Sequence, residues 1–236
     1  MISTSILSEF PTFASFVDPK YKMQWLKDLY RVSAFSSGLL LGQGLVLTAA
    51  HAVNQKKCAR ILYKDRLIKA EVLVRLQDID IMLLKVKDSG LGSNNHAVGF
   101  SNSVNLGEKL YIVGFPLPDI LDFQPLFYSI DVTALEIKNK PHLIQVNGDI
   151  WEGCSGMILV NDRLEVAGVI NSKKSNNPSI KKIPHDWNFA TRAEYFINSI
   201  EAYLPRRSQR QHLKLSPQKL ASHLHRYAVP ILACEK

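Results

Sequence analysis

The 236-residue chain is 46% apolar and 21% charged, ordinary globular values that exclude wholesale disorder and allow a sizeable core. Its formal charge of +8 is uneven: seven bases and one acid lie between Pro205 and Lys236, leaving +2 on residues 1–204. The basicity therefore belongs to the tail, and the nearly neutral body does not predict a nucleic-acid partner.

A short helix around Lys20 to Tyr30 is the first element the sequence suggests. From Arg31 the chain turns into short β segments separated by Gly, Asn, Asp and Pro. They are RVSAFS, GLLL, GLVLTA, ARILYK, LIKAEVLVRL, IMLLKV, KLYIVGF, PLFYSIDVTAL, HLIQVN, GMILV and EVAGVIN. Many strands of this length at close spacing predict an all-β sandwich or barrel, with SNSVNL (101–106) as the boundary between two halves. After Thr191, AEYFINSIEAYL places Tyr195, Phe196, Ile200, Tyr203 and Leu204 on one apolar helical stripe. Arg206 to Gln211 reads as a linker. Ser216 and Pro217 then form an N-cap and first helical position for a last helix, QKLASHLHRYA.

The N-terminus lacks the basic and apolar regions of a secretory signal, and no run is apolar enough to span a bilayer. Three cysteines, Cys58, Cys154 and Cys234, make no disulfide framework. Together these features predict a cytoplasmic protein. His212, His223 and His225 lack a cysteine or carboxylate at ligand spacing, so neither a metal nor a cofactor is expected.

Three motifs carry chemistry. LVLTAAHAV ends a β run in small residues and then presents His51. DIDIMLLKV opens a strongly apolar strand with Asp80, whose carboxylate is costly to bury unless an imidazole N–H pairs with it. Asp78 is the competitor, read as a solvated loop residue because it does not abut the apolar run. WEGCSGMIL places Ser155 between Cys154 and Gly156. A serine hydroxyl is a weak nucleophile until a neighbouring imidazole takes its proton and a carboxylate holds that imidazole. The order His, Asp, Ser separates this chain from hydrolases that run Ser, Asp, His or Asp, His, Ser. Attack on a carbonyl develops an oxyanion, for which the N–H groups of Gly153 and Ser155 are the expected donors. Cys154 is the rival nucleophile, but Ser155 holds the position two residues after the oxyanion glycine.

The chain resembles the trypsin-like serine peptidases of the chymotrypsin fold, most of all the compact, disulfide-free HtrA/Deg type, over about Ser33 to Leu204. The resemblance rests on the three motifs, on GEKLYIVGFPLP and LIQVNGDIWEGCSG, and on VAGVIN followed by NFATRAEYFINSIEAYL. It implies two six-stranded antiparallel β-barrels: 31–104 with His51 and Asp80, and 105–204 with Ser155, the oxyanion hole and the specificity pocket. An extension (1–30) would precede them and a basic tail of linker plus helix (205–236) would follow, with no PDZ domain. The implied activity is serine endopeptidase, with a protein or peptide substrate and a narrow regulatory role. Asp149, six residues before Ser155, stands where trypsins carry the acid that selects a basic residue before the cut. Asn171 and Ser172 would line one wall of that pocket, with Asn188 and Ala190 opposite. The family commonly follows Ser-Gly with a second glycine and proline. Here Met157 and Ile158 follow, so Met157 either narrows the nucleophile's surroundings or packs into the barrel. That departure sustains a second reading, a catalytically silent module that binds a partner through its cleft or tail.

Overall fold

The computed structural model describes residues 32–53, 57–63, 66–87, 98–116, 121, 123–151, 153–171, 188–205 and 213–235. The expected helix at Lys20 to Tyr30, the linker at Arg206 to Gln211 and Ser172 lie outside the described residues. The first barrel is formed by β1 (Val32–Gly42), β2 (Leu45–Ala49), β3 (Lys57–Tyr63), β4 (Arg66–Leu76), β5 (Ile81–Val86) and β13 (Ala228–Glu235). It closes in the order β1-β13-β3-β4-β5-β2. The second contains β7 (Lys109–Gly114), β8 (Leu126–Ala134), β9 (Leu143–Val146), β10 (Ile158–Val160), β11 (Glu165–Asn171) and β12 (Asn188–Arg192). Its order β10-β7-β8-β9-β12-β11 closes through the β10–β11 pairing. β6 (Gly99–Phe100) adds in parallel to the edge at β11. The fold is thus the expected pair of six-stranded antiparallel barrels.

Strand alternation explains why several segments read as unbroken apolar runs. Leu40, Val46, Met82, Leu84 and Ile231 fill the first barrel, whereas Leu39, Leu41, Leu45, Leu47, Ile81 and Leu83 point outward. That outward set packs with Ile158 and Val160 of the second barrel, so both faces of these strands are buried. Leu110, Ile112, Ile144, Met157 and Leu159 belong to the second interior.

Three features differ from the sequence expectation. The tail read as linker plus helix contains the helix, α2 (Pro217–Leu224), but the chain then returns as β13 between β1 and β3. Val229 and Ile231 enter the first core, a burial that the basic charge of the tail masked in the sequence. Pro230 is tolerated because it lies one residue before the β3 register begins at Ile231, and its β1 partner Ser37 bonds elsewhere. The stripe after Thr191 breaks into 3-10 turns at Ala193–Tyr195 and Glu201–Tyr203 around a one-turn helix, α1 (Ile197–Ile200). No side chain caps these pieces. Phe196 and Ile200 are fully buried, while Tyr195 and Tyr203 face solvent. Finally, the β3–β13 register sets Cys58 directly across from Cys234, which their distance in sequence gave no reason to expect.

The α2 helix follows its sequence signals. The Ser216 side chain accepts from the Lys219 N–H, proline occupies the first turn, and Leu220 and Leu224 are buried four residues apart. No helix among the described residues is long and apolar enough to cross a membrane.

Candidate active site

The site lies where the ends of β2 and β5 meet the loop before β10. Immediately after β2 the chain makes a single 3-10 turn, Ala50–Ala52, with Ala50 and Ala52 buried. That turn puts His51 at the surface of the first barrel, its side chain 21% exposed. Asp80 ends a turn whose N–H donates to the Gln77 carbonyl, and it adopts φ +59°, a left-handed conformation that aspartate tolerates better than most residues. This turn drives the carboxylate inward: Asp80 is 5% exposed, whereas Asp78 is exposed.

The buried carboxylate is satisfied by His51 at both oxygens. The His51 backbone N–H donates to Oδ1 at 2.8 Å and Nδ1 meets Oδ2 at 2.6 Å. A carboxylate only accepts, so Nδ1 carries the proton and Nε2 is left as an acceptor. Nε2 lies 2.8 Å from Ser155 Oγ, which donates to it. Asp80 and Ser155, 29 and 104 residues from His51, therefore form one continuous hydrogen-bonded array with it.

Two neighbours that sequence reasoning missed hold the array. Arg75 Nη2 donates to the Val53 carbonyl at 2.9 Å and Nη1 to Ala50 at 3.4 Å, gripping both ends of the histidine turn. Burial lowers the Arg75 pKa, and the nearby Asp80 opposes that shift. Thr191, from the second barrel, donates to the carbonyl of Ile79 beside Asp80. Neither residue lies in the three motifs that carry chemistry, and only the fold brings them here.

The nucleophile loop depends on two positive φ angles, +90° at Gly153 and +78° at Gly156. A side chain at Gly156 would also lie 2.3 Å from the Ser37 carbonyl oxygen and from Thr48 Oγ1. Cys154 is fully buried, and burial pushes its thiol up to about 11, partly opposed by the Trp151 N–H that donates to Sγ. At neutral pH it is a packed, protonated thiol, a poor rival to the accessible Ser155. Met157 is likewise buried in the second barrel, its Cγ and Cε against Gly114, and so does not narrow the approach to Ser155.

The residues expected to bind substrate separate. Asp149 is exposed, and its backbone carbonyl accepts from Tyr128 Oη at 3.2 Å. Tyr128 has its pKa raised by burial first, then by Cys154 and Asp149. Asn188 donates from Nδ2 to the Gly148 carbonyl, anchoring the backbone next to Asp149. Asn171 is half-buried at the end of β11, opposite Phe189. Ala190 is fully buried inside the second barrel, whereas the sequence reading set it on the pocket wall.

Comparison with known proteins relates the sequence and fold to others. Residues 36–169, from β1 to β11, match the family described as "Trypsin-like peptidase domain". "Uncharacterized protein y4bJ" of Sinorhizobium fredii is 26% identical over 166 residues, 68% of this chain and 26% of that protein. "Serine protease HtrA-like" of Staphylococcus aureus is 26% identical over 143 residues, 55% of this chain and 18% of that protein. The chain therefore spans about a quarter or less of the length of these relatives. Among solved structures, the serine endoprotease from Yersinia pestis is similar in fold, with a TM-score of 0.55 at 18% identity. That match covers 72% of this chain and 57% of the other.

Proposed function

Because the chain belongs to the trypsin-like peptidase family, we propose that it is a serine endopeptidase working through His51, Asp80 and Ser155. Ser155 Oγ attacks the scissile carbonyl as its proton passes to His51 Nε2. Asp80 holds the imidazole by Nδ1 and steadies the cation that forms. His51 then gives the proton to the leaving amine, and water repeats the sequence on the acyl-enzyme. The N–H groups of Gly153 and Ser155 receive the oxyanion. The observation that carries this reading is the unbroken array at 2.6 and 2.8 Å, with the carboxylate buried and the hydroxyl accessible. The burial of Met157 and Cys154 favours it over a silent binding module, since neither side chain obstructs or replaces the nucleophile.

The proposal extends to a basic residue before the cut, supported by Asp149. Because that carboxylate is exposed and screened, it supplies roughly 1 kcal/mol, about fivefold in specificity. Paired fluorogenic peptides with Arg or Leu at that position, tested on the wild type and on Asp149→Ala, measure it. The chemistry is tested by a fluorophosphonate probe. The wild type is labelled covalently, while Ser155→Ala is not and His51→Ala loses labelling rate by about 10⁴-fold or more. Equal labelling of the wild type and Ser155→Ala would refute the assignment.

A further inference from the structure

We propose that Ser37, on β1 of the first barrel, is a positioning residue for the oxyanion hole: it holds Gly153 and Ser155 by their carbonyls. The inference rests on the peptidase reading above. Ser37 is fully buried and uses every polar group it has. Its backbone N–H donates to the carbonyl of Ser155 at 2.8 Å, and its Oγ donates to the carbonyl of Gly153 at 3.0 Å. The same Oγ accepts from the Phe115 N–H at 2.8 Å. Its own carbonyl accepts from Thr48 Oγ1 at 2.7 Å.

The direction of the hydroxyl is fixed by its partners. The Phe115 N–H only donates and the Gly153 carbonyl only accepts, so the rotor has one satisfied orientation. The N–H and carbonyl of Ser37 bond to Ser155 and Thr48 rather than to its register partner on β13, Pro230. Glycine by itself does not choose a conformation, so something outside Gly153 must hold its peptide. The Gly153–Cys154 peptide is in fact tied at both ends. Ser37 holds its carbonyl, and the Cys154 N–H donates to the Trp151 carbonyl at 3.1 Å. With Gly153 and Ser155 both pinned by one residue of the opposite barrel, their N–H directions are set by how the two barrels dock. This brace also ties the loop to the barrel that carries His51.

A misaligned oxyanion donor costs about a hundredfold or more in turnover when lost outright, and loosening one costs part of that. Ser37→Ala is therefore expected to lower kcat about 10- to 100-fold, with KM within about twofold of wild type. It should weaken inhibition by a peptide aldehyde, which occupies the hole, in the same proportion as kcat. Ser36→Ala is the control. Ser36 is the adjacent buried serine, but its hydroxyl faces the Ile231 carbonyl within the first barrel. That variant should keep kcat while its melting temperature falls comparably. Ser37→Cys, close in volume and a weaker donor, should fall between Ser37→Ala and the wild type, and it serves if the alanine variant does not fold. Wild-type turnover is measured first, and its absence would sink the peptidase reading itself. With an active wild type, the Ser37 proposal is overturned if the folded Ser37 variants keep kcat and aldehyde affinity. A loss matched by Ser36→Ala would overturn it equally.

Discussion

The placement of β13 inside the first barrel can be tested by crowding it. Gly38 lies on β1 opposite Val229, and a methyl group added there would fall 2.7 Å from Ile231 Cδ1. It would also lie 2.8 Å from Val46 Cγ1 and 3.0 Å from the Leu47 carbonyl oxygen. Carbon atoms rest about 3.5–4.0 Å apart, so Gly38→Ala overpacks the barrel and should cost about 1–3 kcal/mol. Ile231→Val alone should cost about 0.5–1.5 kcal/mol for the lost methyl. It also removes Cδ1, the atom nearest the new methyl, while the contacts with Val46 and Leu47 persist. The double variant should therefore be more stable than the sum of the single effects by about 1 kcal/mol, a partial rescue. Urea unfolding followed by circular dichroism gives the four stabilities, with an unchanged slope showing that the unfolding reaction is the same. For a chain this size, 1 kcal/mol moves the melting temperature by about 2–4 °C. Distant sites add to within about 0.3–0.5 kcal/mol, so additivity at that level would refute the position of β13 over Gly38.

Three further expectations follow from the site. Gly156→Ala must place a side chain at φ +78° against the fixed carbonyl of Ser37, costing about 3 kcal/mol or more and abolishing probe labelling; a stable, labelled variant would contradict it. Folding favours the protonated Cys154 thiol, whose pKa rises from the ordinary 9.0 to about 11. Its contribution is complete below pH 9, where folded and unfolded thiols are both neutral, and is lost as pH climbs from 9 to 11 because only the unfolded state ionises there. Wild-type stability should therefore fall by about 2 kcal/mol more than that of Cys154→Ala between pH 8 and pH 11, as read by urea titration; parallel pH profiles would contradict this. Arg75→Gln should lower kcat/KM about 3- to 10-fold and stability by about 1–2 kcal/mol, because the carbonyls of Ala50 and Val53 lose a charged donor; unchanged kinetics would remove Arg75 from the support of His51.

The sequence was most legible where chemistry demands particular residue types close together. A carboxylate abutting IMLLKV had to be buried and paired, and Asp80 is buried against His51 while Asp78 is exposed. Glycines on either side of the nucleophile loop announced backbone angles that other residues resist. Strands such as β2 and β5 were legible because two-sided burial writes continuous apolar runs such as GLVLTA and IMLLKV, whereas NFATR of β12 carries no such run. Legibility failed where local signals and long-range packing disagree. VPILACE follows a helix, contains a proline and sits in a basic segment, so its neighbours hid a strand whose partners begin almost two hundred residues earlier. AEYFINSIEAYL has a helical stripe, but Phe196 and Ile200 are its fully buried members while Tyr195 and Tyr203 face solvent, and no side chain caps the turns. Ser37 carried no catalytic pattern, since its role exists only once the two barrels dock.

That last point gives the fold its functional logic. His51 and Asp80 stand on the first barrel and Ser155 on the second. The first barrel is itself closed by a strand that arrives after the second is complete. Closing it joins residues separated by most of the chain, so the entropic cost of that closure falls before its contacts are gained, a topology associated with slow folding. The array of Asp80, His51 and Ser155 is therefore the product of three separate long-range agreements. They are the β1–β13 register, the packing of Leu39, Leu41, Leu45 and Leu47 against Ile158 and Val160, and the Ser37 bonds to the nucleophile loop. Loosening any one of them separates groups that must stay within 3 Å to move a proton. Shortening the chain before Ala228 should consequently abolish probe labelling, although Ala228 lies 73 residues from Ser155 in sequence and belongs to the other barrel. Labelling that survives this truncation at the wild-type rate would show that the array assembles without a closed first barrel.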